Sequence, residues 1–279
     1  MTLTRLDEFT NVVLAPNPSP LTLDGTNTYL LGAPGNGEVI VVDPGPDLLE
    51  HRQAVDAAAA AMDATIAAVV LTHHHADHAE AAGWAADWGA QVWTFTPSLV
   101  GAASAPLHDG EQLAMAGVTL EALHTPGHAS DHLCLRVCQT DVVLSGDQVL
   151  GRGTTVVAWP DGDMVAYLAS LRRLVACDAT ALYPGHGPVL SDPAATIAQY
   201  LAHREEREAA VLAALAAGDV TPAEVVVRVY ADVDPVLHPA AERTVRAQLV
   251  KLLDEGRITR VVDPHGDDAE TYRPQAAQR

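Results

Sequence analysis

Histidine and aspartate side chains are concentrated in one short segment of the sequence, THHHADH, at residues 72–78. Its candidate metal ligands are His73, His75, Asp77 and His78. Imidazole nitrogens and carboxylate oxygens are ligand types that suit zinc, and no softer thiolate ligand accompanies them. Because the run is internal and continues with Ala-Asp-His, it does not resemble the remnant of an affinity tag. The segment therefore predicts a metal site, with His74 pointing away from it.

Three further candidate ligands lie in loops at the ends of apolar, β-branched runs. They are His128 in TPGHASDH, Asp147 in SGD and His186 in YPGHGP. A single histidine beside a glycine is usually a loop residue without a special role. Together with the HxHxDH pattern, however, these three residues are better interpreted as metal ligands than as loop residues without a special role.

The elements that must position these residues alternate between strands and helices. We predict strands at residues 28–33, 38–42, 66–71, 91–95, 118–124, 132–138, 141–145 and 180–184, and helices at about 47–61, 78–88, 163–176 and 193–217. THHHADH thus lies between a buried strand and a helix, where α/β proteins often present functional groups. The alternation predicts a layered α/β domain with its sheet buried beneath helices.

The pattern changes after about residue 203, where three predicted helices precede one short strand. Thr221 has the side chain of an N-cap, and Pro222 follows at the first helical position. This order is typical of a small winged-helix-like unit. Residues 201–262 hold eight of the 16 Lys and Arg and ten of the 36 Asp and Glu, a net charge of −2 against −18 for the remainder. Residues 263–279 are predicted to form a flexible tail.

The composition is that of a globular chain. Of its 279 residues 48% are hydrophobic, but no run approaches the roughly 18–20 apolar residues of a membrane span. The first residues, MTLTRLDEFT, lack the apolar region of a secretory signal peptide, so we expect a cytoplasmic protein without a membrane partner. A formal net charge of −20 disfavours indiscriminate binding of nucleic acid, although it leaves room for a local basic patch.

The ordered set HxHxDH, TPGH, SGD and PGHGP, at residues 73–186, resembles the metallo-β-lactamase-fold superfamily. The flanking segments GTNTYLLG, VDPG and SGDQVLGRGTT resemble the subgroup typified by the mitochondrial lactamase-like endoribonuclease, which also carries a C-terminal winged-helix-like unit. The resemblance implies an α/β fold, namely a four-layer αβ/βα metallo-β-lactamase sandwich. It places the hydrolase domain at residues 1–202 and a small C-terminal winged-helix-like domain at residues 203–262.

The resemblance also implies a cofactor of two divalent metal ions, with zinc as the favoured metal. His73, His75 and His128 would hold the first ion, Asp77, His78 and His186 the second, and Asp147 would bridge them. A hydroxide between cations about 3.5–4 Å apart is available near neutral pH as a nucleophile. Asp77 would have a catalytic role as well, by orienting this hydroxide or taking its proton. His124, Ser130 and His132 are candidates for supporting or substrate contacts, and local hydrogen bonding is the alternative for each.

Several substrates fit this resemblance. The flanking motifs and the winged-helix-like unit favour an endoribonuclease-like phosphodiesterase acting on single-stranded RNA, with phosphate contacts from Arg243, Arg246, Arg257 and Arg260. The main alternative is a glyoxalase-II-like hydrolase of a small ester or acyl thioester. A lactam hydrolase, a one-iron oxygenase and a non-catalytic regulatory binding module are the remaining alternatives. The C-terminal unit could also serve for docking or dimerisation, so a homo-oligomer remains open.

Overall fold

Two β-sheets lie face to face in the computed structural model, which describes residues 3–218, 220–261 and 270–275. The seven strands of the first sheet are β1 (Thr4–Arg5), β2 (Thr10–Leu14), β3 (Asn27–Leu31), β4 (Glu38–Val42), β5 (Thr65–Val70), β6 (Gln91–Thr94) and β7 (Ser104–Pro106), adjacent in chain order. The five strands of the second sheet are β8 (Gln112–Met115), β9 (Val118–His124), β10 (Leu133–Val137), β11 (Val142–Gly146) and β12 (Leu182–Pro184), also adjacent in chain order. The predicted hairpin of β3 and β4 is antiparallel, and β4 to β7 pair in parallel.

The core between the sheets is built from alternating apolar side chains. Along β3, Tyr29 and Leu31 pack between the two sheets, whereas Leu30 packs on the outer face of its sheet. Leu133 and Leu135 of β10 meet them from the second sheet. Since successive side chains of a strand point to opposite faces, each central strand contributes to two apolar clusters.

Helices cover the outer face of each sheet. On the first sheet lie α1 (Leu49–Ala61), α2 (Ala76–Ala79) and α3 (Ala85–Trp88), and on the second lie α4 (Met164–Ala176) and the first part of α5 (Pro193–Ala216). The order of layers is therefore αβ/βα, as predicted. Within the described part of the chain, none of the helices is both long and apolar enough to cross a membrane.

The helix predicted over residues 78–88 is interrupted. It is divided into α2, a 3₁₀ segment at Glu80–Trp84, and α3. The backbone N–H of Ala81 donates to the carbonyl of Gly45 at 3.0 Å, so it is not available to the carbonyl four residues earlier. A tertiary hydrogen bond thus replaces a helical one.

The C-terminal unit continues from α5 through α6 (Pro222–Val229) and α7 (His238–Asp254) to the antiparallel strands β13 (Ile258–Val261) and β14 (Thr271–Pro274). Thr221 is the N-cap of α6, as predicted, and forms a capping box with Glu224. The boundary predicted between residues 202 and 203 falls inside α5, which serves both units. Ile197 packs under the second sheet, whereas Val211 packs against α6 and α7.

The prediction of a flexible tail is wrong for Thr271–Pro274, because these residues form β14. Tyr272 is the residue that anchors the strand: its side chain is buried in the C-terminal core, and its backbone N–H donates to the carbonyl of Val220. The rest of the predicted tail, apart from residues 270 and 275, lies outside the described residues.

Candidate metal centre

All seven predicted ligands converge at one edge of the paired sheets. The segment 72–78 follows β5, and the other three ligands lie in the loops after β9, β11 and β12, so every one of them comes from the carboxyl end of a strand. The groups of potential ligand atoms within 4.8 Å of one another include His73 with His75 and His128, Asp77 with His78 and His186, and His73 with His78 and Asp147. The fold therefore brings together residues separated by more than 100 positions.

The first cluster consists of His73, His75 and His128. The Nε2 atoms of His73 and His128 each lie 3.0 Å from Nδ1 of His75. Burial, followed by the positive charge that neighbouring histidines would carry, lowers the pKa of His75 to about 4 and that of His73 well below its ordinary value. These imidazoles are therefore neutral near pH 7, the form that binds a metal ion.

The second cluster consists of Asp77, His78 and His186. Nε2 of His186 lies 3.2 Å from Nε2 of His78 and 3.1 Å from Oδ2 of Asp77. Burial alone would lower the pKa of His78, but the carboxylates of Asp147, Asp77 and Asp43 raise it well above its ordinary value. The second cluster thus differs from the first in carrying negative charge.

Asp147 lies between the two clusters. Its Oδ1 is 3.4 Å from Nε2 of His78, and its Oδ2 is 3.5 Å from Nε2 of His186 and 3.7 Å from Nε2 of His128. Its Oδ1 is buried, and it has no hydrogen-bond partner among the residues that the structure describes. Gly185 permits this approach, because a Cβ there would lie 2.6 Å from that oxygen. Oδ1 therefore faces the second cluster, whereas Oδ2 lies near an imidazole of each cluster, so the carboxylate reaches both.

The outer nitrogens of the imidazoles are held by protein acceptors. Nδ1 of His128 donates to the carbonyl of Val156 at 2.7 Å, and Nδ1 of His186 donates to the carbonyl of Gly25 at 3.1 Å. Nδ1 of His78 donates to Oδ2 of Asp43 at 2.8 Å. With the proton on Nδ1, the lone pairs of the Nε2 atoms of His128 and His186 point into the clusters, whereas at His78 an ion would displace the proton that the surrounding carboxylates favour. Lone pairs and carboxylates that converge in this way repel one another unless a cation lies between them. The donor set therefore fits divalent cations of the kind that prefer nitrogen and oxygen ligands.

Asp43 contacts residues of both clusters, and the sequence analysis assigned it no role. Its carboxylate accepts hydrogen bonds from the backbone N–H and the hydroxyl of Thr72, at 2.8 and 2.7 Å, besides the one from His78. The Thr72 hydroxyl lies 3.0 Å from Nδ1 of His73, so one carboxylate supports a histidine of each cluster. The sequence signal that could have identified Asp43 is its position in VDPG, directly after an apolar strand.

The other histidines near the clusters have different roles. His132 is buried and accepts a hydrogen bond from the backbone N–H of Asp147 at 3.1 Å, so it supports the loop of that residue. His124 makes local contacts instead: it stacks on Phe95 and contacts the carbonyl of Ser130. His74 belongs to neither cluster, and its Nδ1 lies 2.8 Å from Oδ1 of Asp131.

Comparison with known proteins agrees with this geometry. Residues 21–186, more than half of the chain, match the family model of the metallo-beta-lactamase superfamily, and residues 221–267 match the beta-lactamase associated winged helix domain. The chain is 31% identical over 280 residues to a beta-lactamase-like protein 2 homolog of Caenorhabditis elegans, covering 94% of this chain and 88% of that protein. It is 34% identical over 263 residues to an atrochrysone carboxyl ACP thioesterase of Aspergillus chevalieri, covering 88% and 81%.

A solved structure shares both units. A metallo-beta-lactamase family protein from Thermus thermophilus superposes with a TM-score of 0.81 at 26% identity, over 95% of this chain and 98% of that one. The His and Asp clusters lie within or at the end of the matched residues 21–186. The chain therefore belongs to the metallo-beta-lactamase superfamily, and it is a metal-dependent hydrolase with a C-terminal winged-helix domain.

Proposed function

We propose that this chain hydrolyses acyl thioesters with two divalent metal ions, zinc being the favoured metal. The observation that carries the dinuclear part is the convergence of five imidazoles and two carboxylates in two groups of three, with Asp147 between them. A nitrogen-rich ligand set of this kind suits zinc. His73, His75 and His128 would hold one ion, and Asp77, His78 and His186 the other.

When bound, the two ions would supply a water activated near neutral pH and a Lewis acid for the thioester carbonyl. Addition of this water to the carbonyl carbon and cleavage of the C–S bond yield a carboxylic acid and a thiol. His75 and Asp77 are only partly buried, and 31% of the Asp77 side chain is exposed, so substrate reaches the clusters from their side. Burial raises the pKa of Asp77, but His78 and His186 outweigh it and hold the pKa at about 2. Such a carboxylate is a weak base, which favours the orienting role for Asp77 over the proton-accepting one.

The similarity to an ACP thioesterase, which spans both units, supports the thioester assignment. The C-terminal arginines support it as well, since three of the four candidates for phosphate contacts are engaged in ion pairs. Arg246 pairs with Glu242 and Glu270, Arg257 with Glu208 and Glu255, and Arg260 with Glu270. Because these guanidinium groups already contact carboxylates, they attract an RNA backbone less than free arginines would.

Single-stranded RNA is the second candidate substrate, and the surroundings of Arg243 favour it. This residue is exposed and forms no ion pair with any described residue. It lies in the unit whose net charge is near zero, where a polyanion would meet less repulsion than at the rest of the surface.

A direct comparison of substrates tests the proposal. Zinc-loaded protein would be assayed against an uncharged acyl thioester, a single-stranded RNA, a small phosphodiester and a lactam. We expect thiol release from the thioester to be the fastest reaction. Cleavage of RNA with the thioester left intact would overturn the proposal in favour of the second candidate.

The Arg243→Glu variant tests the RNA candidate separately. If Arg243 contacts phosphates, the variant should lose RNA cleavage but keep cleavage of the small phosphodiester, and the loss should diminish as salt is raised. Arg172→Glu is the matched control, because Arg172 is also exposed and forms no ion pair with a described residue, but it lies on α4. Equal RNA cleavage by both variants and the wild type would exclude a phosphate contact at Arg243.

A further inference from the structure

The segment Thr155–Val157 lies between the metal ligands and the C-terminal helices. On one side, the carbonyl of Val156 accepts the hydrogen bond from Nδ1 of His128 at 2.7 Å. The hydroxyl of Thr155 donates to the backbone carbonyl of Asp147 at 2.9 Å. The segment therefore contacts a ligand of the first cluster and the residue between the clusters.

On its other side, the same segment is bonded to two helices. Arg204 of α5 donates from Nη2 to the carbonyl of Thr155, and Thr244 of α7 accepts a hydrogen bond from the backbone N–H of Val157 at 3.3 Å. Both helical residues are buried, with 3% and 4% of their surfaces exposed. These two bonds connect the C-terminal helices to the backbone that holds His128.

Arg204 is an unusual residue to find in such a place. Its guanidinium lies 5.0 Å from the centre of the Tyr167 ring, but it forms no ion pair with a carboxylate of the described residues, and its Nε has no hydrogen-bond partner. Burying a cation without a carboxylate is costly, and a neutral side chain could fill the same volume at lower cost. A requirement for its hydrogen bond to the Thr155 carbonyl would account for this cation.

We propose that Arg204 and Thr244 are positioning residues for the first metal ion, an inference that rests on the metal-binding part of the proposed function. They hold the segment Thr155–Val157 so that the Val156 carbonyl stays in line with Nδ1 of His128. This hydrogen bond fixes both the tautomer and the direction of the imidazole, and such supporting bonds contribute strongly to metal affinity. The C-terminal helices thereby act on the metal centre through the backbone of Thr155–Val157.

Arg207 provides a matched control on the same helix. Its guanidinium lies 4.6 Å from the centre of the Tyr230 ring, and its Nη1 donates to the carbonyl of Val229. Like Arg204, it thus has one aromatic ring and one backbone carbonyl as partners, but both belong to the C-terminal core. Its Nε additionally donates to Nε2 of His203 at 3.3 Å. Loss of Arg207 should destabilise the C-terminal unit without disturbing His128.

The test compares Arg204→Met with Arg207→Met in the full chain. The dissociation constant for Zn²⁺ would be measured by competition with a chromogenic chelator, and the thermal unfolding midpoint would be measured on metal-free protein. Arg207→Met should unfold at lower temperature, whereas Arg204→Met removes an unpaired buried cation and need not. Only Arg204→Met should bind the first Zn²⁺ more weakly, by about 10-fold, as expected for loss of a supporting contact. Unchanged affinity in Arg204→Met, or an equal loss in Arg207→Met, would overturn the proposal.

Thr244 offers a second test that keeps the buried cation in place. Thr244→Val removes the acceptor for the Val157 N–H while preserving side-chain shape, whereas Thr244→Ser retains the hydroxyl. We expect Thr244→Val to weaken binding of the first Zn²⁺ and Thr244→Ser to restore it. The same affinity in Thr244→Val as in the wild type would contradict the assigned role. Since Zn²⁺ affinity is measured without substrate, neither result depends on the thioester assignment.

Discussion

The two clusters of the metal centre are built from similar residues but present different chemistry to an ion. In the first cluster burial lowers the pKa of all three imidazoles, so an ion meets lone pairs that are already available. In the second, Asp77 supplies a negative charge, and three carboxylates favour a proton on His78 that an ion must displace. The two clusters therefore differ in charge and in how strongly protons compete with a metal ion for them. As the pH is lowered, the order in which the two clusters lose their ions should reveal this difference.

The largest effect on metal content and hydrolysis is expected from removing Asp147, the residue that the two clusters share. Asp147→Ala should lower the content of both metal ions and reduce hydrolysis by more than roughly 100-fold, beyond the range seen for supporting residues. Elemental analysis and the thioester assay would measure the two losses together. Asp192→Ala is the control, because Asp192 is an N-cap of α5 whose loss costs about 1 kcal/mol without touching the metal centre. Two retained ions with full activity would show that Asp147 is not the bridge.

Single-ligand variants should separate the clusters. His186→Ala should retain one equivalent of metal in the first cluster, and His75→Ala should retain one in the second, because each removes one of three ligands from only one group. Hydrolysis should fall in both, since the reaction as proposed uses both ions. Metal content would be determined after equilibration with excess Zn²⁺ and removal of loosely bound ions. Complete loss of metal from either variant would mean that the clusters do not load independently.

A smaller effect is expected from Asp43→Asn. The amide would remove the charge that supports His78 directly and His73 through Thr72, so we expect Zn²⁺ affinity to fall by about 10–100-fold. Asn tolerates the left-handed backbone found here, where φ is 51°. Asp131→Asn serves as the comparison, because Asp131 contacts His74, which belongs to neither cluster. Equal affinities in the two variants would contradict the supporting role of Asp43.

The smallest effect should appear in the wild type as the pH is lowered. The raised pKa of His78 means that protons compete for the second cluster already near neutral pH, whereas competition for His75, with a pKa of about 4, begins only in more acidic solution. Acidification should therefore release one equivalent of metal before the other. Dialysis at stepwise lower pH followed by metal analysis would show two stages, and simultaneous release would argue against unequal clusters.

Local sequence signals were sufficient to find the residues that the fold brings together in the two clusters, and the layered domain that positions them. Motifs such as HxHxDH stand at strand ends, and the alternation of strands and helices predicts a layered α/β domain. The αβ/βα order itself was implied by the resemblance to the metallo-β-lactamase-fold superfamily. Contacts between distant segments could not be predicted from such local patterns. The bond of Asp43 to Thr72 spans 29 residues and depends on the parallel register of β4 and β5, and that of Arg204 to Thr155 spans 49 residues. Neither partner has a local pattern that identifies the other.

The continuity of α5 has a consequence for how the molecule unfolds. Its 24 residues make a rod about 36 Å long, which contributes Ile197 and Tyr200 to the packing beneath the second sheet and Val211 and Leu215 to the C-terminal core. Because the two cores share one helix, loss of either exposes apolar surface on a segment that the other needs. Calorimetry should accordingly record one cooperative transition, and a protease that cuts within α5 should release neither half as a stable fragment.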